Sequence, residues 1–452
     1  ISMRIGARGK FIDFWSRAVT GPICFESDFD KRVYWPKLKK ITEKWGIKYD
    51  PDHMVPCDDE MLDRLWQAAI DLVAEVGVLC TDTRRIIEFS RKEILDAAAN
   101  TADRYTVGVG KDSFTAVHRG FEDYDHVKNP VSVLGRILGP VSQDIYHQIA
   151  MSYAQVPQID MCHFQGNLTE IYGMPITPDS PWEMFSELWS VAQVKDVCRQ
   201  VCRPGLADGG IRAIAMSAMQ AAFDPGWGAN KGDFRCCLTL PHQKVEYKHL
   251  SRALQWHTYG INFYSVMPSY PGGLSGGPAT SAVTGTAEWI IQKLLFDVPL
   301  NGSWSVDAMY FSNTSKYSLW CSNHQNAAVT KNTVCEPLTG GGWQMTHGIG
   351  HENFFWESAA SAISAVVLGN GVSGGTGAQS GLKDHQSGLG LQFSAEVGEA
   401  VAKARLTRAH ANDLVKRIMS KYQPTRWAAT SGNATTSSPS SRRSGTWICT
   451  TR

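Results

Sequence analysis

The densest run of reactive side chains is Thr346-His347-Gly348-Ile349-Gly350-His351-Glu352. Two imidazoles four positions apart share a face on a helix, and the carboxylate beside them can act as a third metal ligand or a general base. The run is not H-E-x-x-H, and its two glycines favour a turn over a helix at this point. It admits three readings: a histidine that touches substrate, a zinc site on His347, His351 and Glu352, or a purely structural pair. Aromatic residues gather nearby, with Trp304, Tyr310 and Phe311 upstream and Trp343, Phe354, Phe355 and Trp356 around the run. Phe354, Phe355 and Trp356 open a helix and read as core. Trp343 follows Gly340-Gly341-Gly342 and precedes Gln344. An indole on such a loop can turn its π face to a cation, which points to a quaternary ammonium ligand. Gly369-Asn370-Gly371-Val372-Ser373-Gly374 and Gly108-Val109-Gly110-Lys111 have neither dinucleotide-binding nor Walker spacing and read as turns.

The elements that must position these groups follow from periodicity and punctuation. Asp58-Asp59 opens a helix to Gly77, with Leu62, Leu65, Trp66, Ala69 and Val73 at helical spacing. Ser90 caps a helix from Arg91 to Asn100, and short strands and turns fill the chain from Tyr105 to Val141. Ile159 to Phe164 reads as a buried strand that ends in Gln165-Gly166-Asn167. Ser180-Pro181-Trp182-Glu183 starts a helix with an N-cap, a first-turn proline and a capping-box glutamate; it stops at Arg203-Pro204-Gly205. Further helices are expected over Ile211–Ala222, His249–Gly260, Thr284–Phe296, Asn353–Leu368 and Phe393–Tyr422. Strands are expected over Ile261–Met267 and Trp304–Phe311.

Strand, polar or glycine-rich loop and helix alternate over roughly 250 residues, which is the pattern of a parallel sheet covered by helices. Its length suits a (β/α)8 TIM barrel, with residues 1–145 as an N-terminal helical and β extension and 146–422 as barrel core and C-terminal helix. In such barrels the residues just after each strand converge on one face. That rule gathers Gln165, Asp208-Gly209, the Gly272–Gly277 loop, Asn313 and the Gly340–Glu352 segment. From Thr430 to the end, 12 of 23 residues are Ser or Thr and no acidic residue follows Asp413. Residues 423–452 read as a low-complexity tail, and a reading-frame shift near Pro424 would account for it.

Composition narrows the function classes. The 44 basic and 43 acidic side chains leave a formal charge of +1, which gives no electrostatic reason to expect nucleic acid or an anionic membrane as partner. A 43% apolar content in 452 residues supports a large core and excludes disorder. The eleven cysteines are scattered, with no C-x-x-C, and read as reduced thiols of a cytoplasmic protein. No apolar run approaches the roughly 20 residues of a membrane span, and Ile1 to Lys10 lacks a signal-peptide core.

Several stretches resemble the monomethylamine:corrinoid-protein methyltransferases of methylotrophic methanogens. They are Gly77-Val78-Leu79-Cys80-Thr81-Asp82-Thr83-Arg84-Arg85-Ile86, Met151-Ser152-Tyr153-Ala154, Ser180-Pro181, Arg203-Pro204-Gly205, the pairs Gly272-Gly273 and Gly276-Gly277, and the Glu352 helix with Glu357, Ala359 and Ile363. The similarity runs in order from about Phe14 to about Tyr422. It implies a barrel, assembled as a homohexamer or other homo-oligomer, that holds no tight cofactor and works with a partner corrinoid protein carrying cobalamin. Such an enzyme moves a methyl group from a small methylated amine to Co(I). Members of the family activate the amine with the electrophilic imine of pyrrolysine.

In this sequence that position falls at Gly209, the family's glutamate at about Ala279 or Thr280, and its Gln and Tyr near Gly342 and Gln344. A glycine at 209 implies a roomier pocket and a donor that is already charged, with a quaternary ammonium favoured, because its amine leaves neutral without covalent capture. Trp343, Tyr310 and Trp304 are then expected as walls for the cation. Gln344, Gln165, His347, His351 and Glu352 would orient polar parts, and Asp208 would supply a counter-charge. The competing readings are a zinc-dependent barrel and a non-catalytic binding relative.

Overall fold

The computed structural model describes residues 5–125, 132–137, 139–164, 168–210, 215–298, 300–335, 344–374 and 383–422. Two arcs of parallel strands form the barrel. One runs in the order Val372–Ser373, Val133–Ile137, Met161–Phe164, Ala207–Asp208; the other runs Phe234–Cys237, Asn262–Val266, Leu300–Gly302. Leu134 pairs with Met161, Met161 with Ala207, Phe234 with Asn262, and Val372 with Val133. The last pairing brings the final strand back to the first, as a closed TIM barrel requires. The first barrel strand therefore begins at 133, ahead of residue 146.

Helices cover the strands. Ser180 caps Pro181–Gln200 as its residue types dictate, its side chain accepting from the Glu183 N–H. Glu183 does not close a capping box: it spans instead to the backbone N–H groups of Asp179 and Ala215. Pro278–Phe296 is buried on all sides from Ser281 onward and begins six residues before Thr284. Lys316–Asn332 is a second buried helix whose Ser, Asn, Gln and His content gave no apolar signal. The expected strand from Trp304 to Phe311 is shorter: Ser305 bridges Ser269, and the chain then turns through Phe311 at φ 51°. The expected helix from Phe393 to Tyr422 is two, Gly388–Ala404 and Arg408–Met419, broken at Arg405, which is left-handed. Within Ile211–Ala222 the described helix is Met216–Ala221.

The N-terminal residues pack onto this barrel. Asp59–Val76 runs as its periodicity predicts, and Ser90 and Glu93 form a complete capping box on Arg91–Ala99. Ile5–Thr20 and Trp35–Lys44 add two helices, and Val78–Cys80 pairs in parallel with Lys244–Val245 of the barrel half. Tyr34 reaches Thr284 (2.8 Å) and Trp15 reaches the Leu295 carbonyl (3.1 Å), both on Pro278–Phe296. Among the described residues no helix is long and apolar enough to cross a membrane. The tail from 423 lies outside the described residues.

Candidate active site

The residues singled out in the sequence fall into two groups, one inside the barrel and one at the start of the helix Glu352–Val367. Gln165 and Trp343 lie outside the described residues.

Alternation along the strands sorts the interior group. Asp208 and Arg235 point to the helix layer. The Arg235 guanidinium donates to the carbonyls of Asp208 (2.5 Å), Phe234 (2.9 Å) and Ala222 (2.7 Å) and lies on the Phe223 ring. Asp208 faces that guanidinium at 3.7 Å and takes the Gly210 N–H. Its neighbour Asp233 is bound to Lys195 (2.5 Å) of the outer helix and accepts the Asp208 N–H. Asp208 is thus committed to a buried network outside the strands, and it does not supply a counter-charge to the interior as the sequence suggested.

Gly209, Phe234, His163 and Tyr264 take the opposite, inward phase. Gly209 extends the ladder beyond its strand, donating to the Cys162 carbonyl at 2.7 Å. A Cβ on Gly209 would lie 2.1 Å from the tip of the Phe234 ring. The space released by the glycine is therefore filled by a ring from the next strand, which corrects the expectation of a roomier pocket. Phe234 leans on Tyr264 (centroids 5.6 Å apart) and on His163 (6.5 Å), and His163 meets Tyr264 edge-on at 5.2 Å. Arg136 pairs in register with His163 and is buried. Burial draws its guanidinium down to about 9, which still leaves it charged at neutral pH. Arg136 stands over the Trp304 ring at 5.9 Å. Trp304 was expected to wall a cation, and the protein's own guanidinium already occupies one of its faces. A bound cation would have to meet the rings on another side. Tyr310 is half-buried in the following turn, its N–H held by Asp307.

The second group is built on Glu357, a fully buried carboxylate on the helix Glu352–Val367. Thr314 Oγ1 (2.5 Å), Thr346 N (2.8 Å), Thr346 Oγ1 (2.9 Å) and His347 Nδ1 (2.5 Å) all converge on it. A carboxylate accepts, so His347 donates to Glu357 through Nδ1–H, and Nε2 lies 3.3 Å from Asn353 Nδ2. This is an oriented carboxylate–histidine pair, and the residue that orients it was not among the sequence candidates. Glu357 lies ten positions beyond His347 on a helix, a separation that matches no sequence template. Tyr422 braces the pair by donating to the Thr314 carbonyl at 2.9 Å, and burial together with Glu357 holds its hydroxyl well above the usual phenol range.

His351 and Glu352 do other work. His351 is the N-cap, its Nδ1 accepting the Asn353 N–H, and its ring stacks on His347 with centroids 4.7 Å apart. Glu352 is exposed and accepts from Trp356 Nε1 (3.0 Å) one turn along the helix. Stacked rings do not aim their nitrogens at a common point, and the Glu352 carboxylate is engaged by Trp356. The zinc reading therefore lacks its ligand geometry, and among the described residues no group of three His, Cys, Asp or Glu could hold a metal. Gln344 is buried and tied through its backbone to Asn313, its N–H at 3.0 Å from Asn313 Oδ1. Ala279 and Thr280 open the helix Pro278–Phe296, where Thr280 Oγ1 bonds the Ser275 carbonyl.

The chain matches the family model of the monomethylamine methyltransferase MtmB over residues 10–436. It is 25% identical to the monomethylamine methyltransferase MtmB2 of Methanosarcina acetivorans over 426 residues, covering 93% of this chain and 90% of that protein. It is 24% identical to MtmB1 of Methanosarcina barkeri, covering 93% and 90%. The crystal structure of the Methanosarcina barkeri monomethylamine methyltransferase superposes with a TM-score of 0.85 at 23% identity, over 91% of this chain and 88% of that one. A hydroxylamine complex of MtmB superposes equally well, with a TM-score of 0.85. The family match runs to residue 436, past the Tyr422 at which the sequence resemblance was placed.

Proposed function

Because the chain belongs to the MtmB family of monomethylamine methyltransferases, we propose that this methyltransferase moves a methyl group from a pre-charged methylated amine, a quaternary ammonium, to Co(I) of a separate corrinoid protein. The observation that carries the reading is position 209, an inward-facing strand end with no side chain and an aromatic ring pressed over it. Nothing at that position can capture an amine covalently, so the leaving group must be supplied by the donor. In a quaternary ammonium the C–N bond breaks with its electron pair going to nitrogen, and a neutral tertiary amine departs. The corrinoid, held by its own protein, supplies the Co(I) nucleophile that accepts the methyl.

The chain's own residues bind and orient the donor. Phe234 and Tyr264 are the aromatic rings packed beside position 209 inside the barrel, and a cation brought against a ring gains most once water is excluded. Arg136 opposes a second positive charge on its side of Trp304, which confines the ammonium to the Phe234–Tyr264 side. The His347–Glu357 pair orients a polar part of the donor or accepts a proton through Nε2. The test is a donor screen with reduced cobalamin, following methyl-Co(III) spectroscopically. Transfer from a tetraalkylammonium but not from monomethylamine is expected, and transfer from monomethylamine alone would overturn the reading.

A further inference from the structure

We propose that the cavity between the N-terminal segment and the helix Lys316–Asn332 is a binding site of its own. It would take a small, neutral, planar molecule that donates an O–H or N–H to His324. The cavity measures about 470 Å³ and shares no residue with the barrel interior or the His347–Glu357 group. That volume lies within the range of small-molecule pockets. Pro56, Met61 and Trp320 line it together with His324. His324 is only 4% exposed, its ring lies on Trp320 with centroids 4.0 Å apart, and its Nδ1–H donates to the Trp320 carbonyl at 2.9 Å. Nε2 therefore carries the lone pair, and among the described residues nothing donates to it. Burial draws the imidazole down to about 4, so it stays a neutral acceptor at pH 7. A buried acceptor in the wall of a cavity calls for a donor from the occupant. The rim sets Lys48 and Arg64 against Asp50 and Asp58, and this balance of signs favours a neutral occupant over an ion. The walls are fixed in advance. Asn323 donates to the Met54 carbonyl (2.8 Å), while Asn412 accepts the Val55 N–H (3.1 Å) and donates to the Asp52 carbonyl (2.8 Å).

The experiment titrates the full chain calorimetrically with phenol and with anisole, which has the same ring but no O–H to donate, and repeats both on H324F. Wild type is expected to bind phenol about tenfold more tightly than anisole. Folded H324F is expected to bring the two affinities within about threefold, because the acceptor is gone while an aromatic ring remains on Trp320. In wild type, phenol but not anisole should also shift the Nε2 resonance of His324 in nitrogen NMR. That shift decides the matter if circular dichroism shows that H324F does not fold. Equal affinities in wild type, a preference unchanged in folded H324F, a silent His324 resonance, or a cavity that holds only water and binds neither probe would each overturn the assignment.

Discussion

At the residue scale, two side chains carry loads that can be measured. Glu357 collects four hydrogen bonds from Thr314, Thr346 and His347 in a site without solvent. E357A strands those donors and should cost about 3–5 kcal/mol, read from urea denaturation. E357Q keeps the shape but presents an N–H, so it should cost less stability while moving the His347 ring proton to Nε2, visible as a changed imidazole nitrogen shift by NMR. The second load is at Gly209. G209A should cost at least about 3 kcal/mol, and a cycle with F234A should show coupling of about 2 kcal/mol, because the ring that clashes has been removed. The sequence singled out His347 and Gly209, yet the side chain packed against each could not be read from it. Glu357 and Phe234 are brought to them by tertiary packing. The two residues that spacing did favour, His351 and Glu352, are adjacent in the chain but serve as a cap and an exposed helix contact.

At the element scale, the helix Pro278–Phe296 shows how a buried segment can still be ionisable. Glu288 sits at its centre and holds the following-strand loop through the Gln243 N–H (2.8 Å) and Thr239 Oγ1 (3.2 Å). Burial pushes its carboxyl up to about 7. The unfolded chain releases that proton near 4.5 and the folded chain only near 7. The stability associated with this site is therefore full below pH 4.5 and is lost as pH rises through 7, by about 3 kcal/mol in all. E288Q should remove that slope, so the urea midpoint of wild type should fall relative to E288Q between pH 5 and pH 8. Elements with strong caps or period were legible: Asp59–Val76, Pro181–Gln200 and Glu352–Val367 lie within a residue or two of their sequence limits. Lys316–Asn332 was not, because it is buried through polar side chains, several of which hydrogen-bond to the barrel and to the N-terminal segment. Asn323 donates to the Met54 carbonyl, Ser322 accepts the Ser305 N–H, and Gln325 accepts from Ser269 and Ser305. Hydropathy cannot see a helix that is buried by hydrogen bonding.

At the scale of the whole molecule, the alternation of strand, loop and helix was enough to read a TIM barrel. The depth to which the N-terminal segment is built into it was not, since Ile5–Thr20 and Trp35–Lys44 have no strong sequence signature. Trp15 of the first helix anchors to Pro278–Phe296 at the Leu295 carbonyl, and Tyr34, just before the second, anchors to it at Thr284. Deleting the first 50 residues would expose a helix that is buried on every side, so the truncated chain should be insoluble or lose its cooperative thermal transition. Inside the barrel, Gly209 is an inward strand end without a side chain, with the Phe234 ring above it. The most direct test mixes the purified protein with Co(I) cobalamin and either tetramethylammonium or monomethylamine, and records the absorbance of methyl-Co(III) over time. A rise with the quaternary salt and none with monomethylamine is predicted; a rise with monomethylamine and none with the quaternary salt would contradict a donor that must bring its own charge.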